Sequence, residues 1–218
     1  MVRRKLAFIL VMVIAALAAG CPYLWKGDVV QKDPDPEKLF HDAQKQFQDK
    51  RYSAALELYE RLKSGYPDFK KMPEVYMKIG DAYFDDKYYD KAIAAYGQFM
   101  DLYPNNKDAP RAKFQIGMAY FNQIQGTDLD NSVVQRAATQ FKTLSDDSSA
   151  GDWAKKAAEK YVECRKKLAA KEMYKAHTMM TIGKYQAARL AAKRVLDEYP
   201  KLGYDKDASA LIKSTKGK

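Results

Sequence analysis

Two cysteines and two histidines are all that the 218-residue chain offers of those types. With Cys21 and Cys164 as the full set, no disulfide framework can be built. His41 and His177 each lack a second histidine, a cysteine or an acid at metal-site spacing, which excludes a zinc-type centre. No glycine-rich phosphate loop follows a strand pattern, and no Gly-x-Ser-x-Gly elbow occurs. Carboxylates are plentiful, but they fall in turns and on helix surfaces, where they are solvated. The expectation is therefore a chain with no catalytic residues, no metal and no cofactor: not an enzyme. No apolar run approaches the roughly 20 residues that span a bilayer core. The formal net charge is +10. Removing the three cations of the first twenty residues leaves +7 from Cys21 onward. No dense Lys/Arg stretch coincides with a nucleic-acid reading motif, so no nucleic acid is expected. A charge of this size suits an anionic membrane surface or acidic partners.

What the N-terminus does contain is ordered. Arg3-Arg4-Lys5 is a basic start, Leu6–Ala19 is an unbroken apolar run of 14, and Leu17-Ala18-Ala19-Gly20-Cys21 ends it. Length and order match a secretory leader over residues 1–20. The last five residues resemble a bacterial lipobox. That resemblance implies cleavage before Cys21 and its lipidation, with several acyl chains giving stable attachment. Pro22, rather than Asp, after the cysteine implies sorting to the outer membrane. Residues 21–36 read as a tether, because Asp33-Pro34-Asp35-Pro36 cannot form a helix interior. Its 16 residues reach at most about 55 Å.

Beyond the tether the chain repeats itself every 37 residues. Gly80, Tyr83, Tyr89, Ala92, Tyr96, Phe99 and Pro104 form one copy; Tyr52, Ala55, Tyr59, Leu62 and Pro67 fall 37 earlier, and Gly117 and Tyr120 fall 37 later. Such a period means a solenoid of stacked supersecondary units. Small residues let two antiparallel helices approach, aromatics fill the space between neighbouring pairs, and the proline ends the second helix. This resembles the tetratricopeptide repeat (TPR), which implies an all-α helix–turn–helix, right-handed solenoid. Residues 37–109 carry repeats one and two, with Pro73 and Pro110 suited to first helical turns. Residues 110–149 carry a third repeat whose second helix (Ala137, Phe141, Leu144) comes eight residues late, after the loop-forming Gln125–Asn131. Asp128 and Asp130 within it lack the glycine and terminal glutamate of a calcium loop. Residues 150–204 give a long helix, free of Gly and Pro from Asp152 to Ile182, and a fourth repeat through Ala188, Ala192, Val195 and Tyr199-Pro200. Cys164 falls on its apolar face as a small core residue. Residues 205–218 allow a short terminal helix and tail rather than a complete fifth repeat.

Two further patterns run through the repeats. Phe40, Met77 and Phe114 recur at 37, as do Phe47, Phe84 and Phe121, each pair seven apart on one face of a first helix. In TPR solenoids the first helices line the concave surface, so these six residues are candidates for an aromatic groove that takes an extended peptide. Core packing between successive first helices is the other reading, and both stay open here. On the long helix Lys156, Lys160, Lys167, Lys171 and Lys175 fall within roughly a 100° arc. With Glu172 they are partner-docking candidates, a solvated face being the plainer alternative.

The C-terminal half is more specific. Arg165-Lys-Lys-Leu168-Ala169-Ala-Lys-Glu172, Ala176, Gly183-Lys-Tyr185-Gln-Ala187-Ala188, Val195 and Tyr199-Pro200 resemble the BamD (YfiO/ComL) lipoprotein family of the outer-membrane β-barrel assembly machine. The lipobox and the inserted third repeat are similar too. The resemblance implies a non-enzymatic, lipid-anchored scaffold on the periplasmic side of the outer membrane. Its implied partners are a BamA-like barrel protein, bound through C-terminal repeats, with other assembly lipoproteins, and unfolded outer-membrane protein segments ending in an aromatic residue, received by the N-terminal repeats. The competing expectations are a periplasmic TPR adaptor of the CpoB/Tol-Pal type and a pilotin-like lipoprotein. The lipobox and the absence of a heptad run before Glu37 favour the assembly scaffold over the adaptor.

Overall fold

The computed structural model describes residues 35–124 and 131–217. The leader, Cys21 and nearly all of the tether, together with Asp128 and Asp130, lie outside the described residues. Among those described, every regular element is helical: α1 (Pro36–Gln48), α2 (Tyr52–Gly65), α3 (Met72–Asp85), α4 (Tyr89–Leu102), α5 (Ala109–Asn122), α6 (Asn131–Ser145), a 3₁₀ turn (Ser148–Ala150), α7 (Asp152–Thr181), α8 (Tyr185–Glu198) and α9 (Asp205–Ser214). The fold is a TPR solenoid, as the 37-residue period requires.

The punctuation of the sequence sets the element ends. Pro36, Pro73 and Pro110 each sit in the first turn of α1, α3 and α5, where a missing N–H costs nothing. The turns inside repeats one, two and four share one cap. Lys50, Lys87 and Gly183 adopt positive φ (59°, 63° and 76°). The following N–H groups, of Arg51, Tyr88 and Lys184, donate back to the carbonyls of Gln46, Tyr83 and Met179 at 2.9 Å. This is a Schellman closure. The turns between repeats are as uniform: Tyr66, Tyr103 and Tyr199, each before a proline, leave the helical region with φ of −140°, −132° and −128° and ψ of 61°, 53° and 47°, and donate to the carbonyls of Leu62, Phe99 and Val195.

Glycine is required where helices cross. A Cβ on Gly80 would stand 2.4 Å from the Tyr96 ring, and one on Gly117 would stand 2.6 Å from the Phe141 ring. The eight-residue displacement of α6 thus restores the crossing: Phe141 takes the place against Gly117 that Tyr96 takes against Gly80. The buried side chains form four overlapping clusters along the array. The first centres on Ala43, Tyr59 and Val75, the next on Met77, Tyr96 and Ala112. The third centres on Val134, Phe141 and Cys164, the last on Met173, Ala192 and Leu211. Each unit packs on its neighbours, as a quasi-one-dimensional array does. Cys164 is fully buried, and burial pushes its thiol up to about 12, as its apolar helical spacing suggests.

Helix α7, 30 residues and about 45 Å long, is shared between two stacks. Ala157, Tyr161, Cys164 and Leu168 join the cluster of α5 and α6. Met173 and Ala176 join that of α8 and α9. Leu168 and Ala169 are both buried although adjacent residues project about 100° apart on a helix. The apolar stripe therefore changes side at this point, and one helix closes repeat three while opening repeat four.

Candidate peptide and partner face

The seven-residue spacing of the ladder does place its members on one face of each first helix, but their environments differ. Phe40 and Met77 are only 4% and 3% exposed. The Phe40 ring lies 6.2 Å from that of Tyr59 and 5.8 Å from that of Phe69. The segment between repeats, carrying Phe69 and Lys71, roofs it. Phe114 is half-buried, 5.5 Å from Phe141 and 5.2 Å from Trp153. These three residues serve the stack.

Phe47, Phe84 and Phe121 stand in the last turn of their helices, past that roof, and remain half-exposed. Each turns an edge toward an aromatic of the second helix: Phe47 to Tyr52 and Phe84 to Tyr89 at 5.6 Å, and Phe121 to Phe141 at 6.4 Å. Ammonium groups cover two of the three. Lys78 Nζ lies 5.1 Å over Phe47, while Lys160 and Lys167 lie 5.1 and 5.6 Å over Phe121. Two sequence features that looked separate, the ladder and the lysine arc, thus meet at Phe121.

The lysine arc is not a bare strip. Lys156 stacks over Trp153 at 4.3 Å, and Lys160 also pairs with Glu163 at 2.9 Å. Lys171 is half-buried and Lys175 exposed. Glu172 is drawn instead toward α8: Arg194 approaches its carboxylate to 2.9 Å, off the axis of a hydrogen bond. In the same sector stands Tyr174, 74% exposed and absent from the sequence reading. Its 96-residue offset from Lys78 is the offset that relates Ala188 to Ala92 and Gly183 to Lys87, a signal that could have found it.

A second set went unnoticed in the sequence. Gln44 Nε2 donates to Glu74 at 3.2 Å, Arg111 donates to both Asp81 oxygens at 2.6 and 2.8 Å, and His177 meets Asp207 at 2.9 Å. Each pair is 30 residues apart and ties one first helix to the next. The outer two ties are exposed, and the central one is part-buried, on the buried Asp81. There the Tyr96 hydroxyl also donates to Asp81 at 2.8 Å, and Lys78 stands 3.7 Å away. The Tyr96 hydroxyl is pushed far above its ordinary range by burial and by the Asp81 charge. Burial, then the same Asp81 charge, raises the Asp85 carboxyl one turn along.

Beside this tie, at the N-terminal ends of α3 and α5, lies a cavity of ~580 Å³ lined by Lys70, Lys71, Lys78, Lys107 and Arg111 against the acids Glu74 and Asp108, with Met77 beneath. Lys71 is held by Glu37 at 2.7 Å, and Lys78 and Arg111 are engaged with Asp81. Lys70 and Lys107 are exposed, with no acid at ion-pair distance among the described residues. The arrangement is a half-exposed aromatic row next to uncommitted cations, suited to a ligand that is apolar and anionic at once. Among the described residues no group of three potential metal ligands gathers, and no helix is long and apolar enough to cross a membrane.

Among solved structures, the chain is similar to a thermophilic TPR protein of Thermus thermophilus, at 14% identity and a TM-score of 0.43, over 83% of this chain and 98% of that one. It is also similar to MamA, at 18% identity and a TM-score of 0.35, over 79% and 91% of the two chains. No curated protein matches the sequence. The profile of the YfiO family, described as outer membrane lipoprotein, matches residues 32–216. That span takes in every helix described above, and the chain belongs to the YfiO family of outer membrane lipoproteins.

Proposed function

We propose that this protein is a non-enzymatic scaffold lipoprotein of the outer-membrane protein assembly complex. It is lipid-anchored through Cys21, faces the periplasm, and binds a BamA-type barrel and unfolded outer-membrane protein segments. Membership of an outer membrane lipoprotein family supports the location. The observation that carries the ligand assignment is the half-exposed Phe47 ring under Lys78, on the helix face that leads to the cation-lined cavity between α3 and α5. A peptide that ends in an aromatic residue offers a ring for the first and a free carboxylate for the second. The ring gains apolar burial and edge contact with Tyr52, and the carboxylate meets Lys70 or Lys107, which spend nothing on internal pairs.

Titrating the mature protein with a ten-residue peptide ending in Phe tests this reading. We expect saturable binding that weakens about tenfold when the peptide's carboxylate is amidated, and again in Phe47→Ser. Equal binding of the amidated peptide, or undiminished binding by a folded Phe47→Ser protein, overturns the assignment. Capture from envelope extracts separates the partner readings: recovery of a BamA-type barrel supports the scaffold, and recovery of Tol proteins or a secretin instead rejects it.

A further inference from the structure

The opposite edge of the array, about 20 Å away along the 14-residue helices α3 and α5, carries a different site. At the first inter-repeat edge, the turn Lys50-Arg51-Tyr52 faces the end of α3 with Asp85 and Asp86. Burial, then the Asp85 and Asp86 carboxylates, raise the Tyr52 hydroxyl above its ordinary range. Cations and acids balance there. Thirty-seven residues on, the same turn reads Lys87-Tyr88-Tyr89 and the acids are replaced by amides, Asn122 and Gln123. A cavity of ~660 Å³ opens between them, lined also by Asp90 and Lys91.

Three features of this cavity converge. Tyr88, in place of Arg51, is 54% exposed. Lys91 Nζ sits between the Tyr88 and Tyr83 rings, 4.9 and 5.5 Å from their centroids, and fixes the platform on one side. Gln123 donates to Asp90 at 3.0 Å, aligning an amide and a carboxylate on the far wall. Lys87 and Lys91 have no acid at ion-pair distance among the described residues. A flat ring, fixed amide and carboxylate groups, and two ammonium groups suit a ring-shaped ligand with one C–H face, several hydroxyl or N-acetyl groups and a negative charge. The volume falls in the range of small-molecule sites.

We infer that the edge formed by Lys87, Tyr88, Lys91, Asn122 and Gln123 binds an N-acetylated amino-sugar glycan that carries carboxylates. The sugar face stacks on Tyr88, the amides meet its hydroxyl and acetamido groups, and the lysines take the acid. An acidic peptide would use the lysines alone and leave the ring and amides idle. The cavity borders Phe84 and Phe121 but shares no residue with the Phe47, Lys70 and Lys107 site, so each can fail without the other.

The test titrates the full mature protein, by heteronuclear NMR, with the disaccharide of N-acetylglucosamine and N-acetylmuramic acid. Chitobiose serves as the uncharged comparator and pentaglutamate as the peptide comparator. We expect shifts confined to residues around Tyr88 and Gln123, with chitobiose several-fold weaker. Affinity should fall about tenfold in Tyr88→Ala, and likewise in the double variant Asn122→Asp, Gln123→Asp, which restores the first-edge residues. Retained amide-shift dispersion away from the cavity in each variant's spectrum checks that the variants fold. Absence of shifts at Tyr88, wild-type affinity in Tyr88→Ala, or displacement of the disaccharide by pentaglutamate at equal concentration overturns the proposal.

Discussion

Tyr59 and Tyr96 occupy the same position in consecutive repeats, and both are completely buried. Their hydroxyls fare differently. Tyr96 donates to Asp81, whereas Tyr59 OH has no hydrogen-bond partner among the described residues, because the residue 37 before Asp81 is Gln44, which turns to Glu74. Leaving a buried acceptor unmet costs more than the net value of an ordinary hydrogen bond. Tyr96→Phe should therefore lower stability by about 1–3 kcal/mol, since it strips a charge-assisted bond from buried Asp81. Tyr59→Phe should leave stability unchanged or raise it. Chemical denaturation of the two variants checks the contrast, and equal losses would contradict it. The unequal pair also marks how far the sequence could be read. The period placed both tyrosines in the core, but which one is tied depends on a partner 15 residues away in a different helix. Likewise, Phe40 and Phe47 look equivalent by spacing, and only the roof over Phe40, built from Phe69 and Lys71, separates them. The 30-residue polar ties follow no local pattern and become visible only when the stacked repeats set positions 44 and 74, 81 and 111, and 177 and 207 side by side.

At the scale of elements, spacing said a great deal. Prolines, turn residues and the Gly80 and Gly117 positions gave helix order, the displaced second helix of repeat three and the long uninterrupted helix, because each of these is a backbone or close-contact requirement that few residue types meet. The same logic yields a paired prediction for the helix crossings. Gly80→Ala forces the Tyr96 ring to move and should destabilise by about 1–3 kcal/mol through overpacking. Gly97→Ala, in α4, meets nothing within 4 Å and should stabilise by roughly 0.4–1 kcal/mol, from higher helix propensity and a stiffer unfolded chain. Thermal melts of both variants decide it: a gain for Gly80→Ala, or a loss for Gly97→Ala, would show that the crossing is not packed as described.

For the whole molecule, a stack of independent pairs would melt piecewise, as one-dimensional arrays do when their interfaces weaken. Helix α7 works against that, since Leu168 belongs to the third cluster while Met173 and Ala176 hold the other stack. Leu168→Ala should cost about 2–5 kcal/mol. Its effect should also spread: hydrogen exchange should speed up in α6 and α8 together, while α1 and α2 keep their protection. Loss of protection in α6 alone would mean that the two halves of α7 act separately. Four clusters laid end to end also explain why function is harder to read than fold. The core residues repeat because every interface is the same problem, whereas the exposed residues are released from that constraint, and each edge of the array is free to differ.

The shared helix has a further consequence. A continuous rod of about 45 Å that is gripped at both ends by different repeats works as a ruler. Whatever docks at Phe121, under Lys160 and Lys167 of α7, and whatever docks beside Tyr174 are held at a set separation and a set angle, with no hinge between them. Partners meeting there need no contact with each other to be aligned; the helix does the alignment for them.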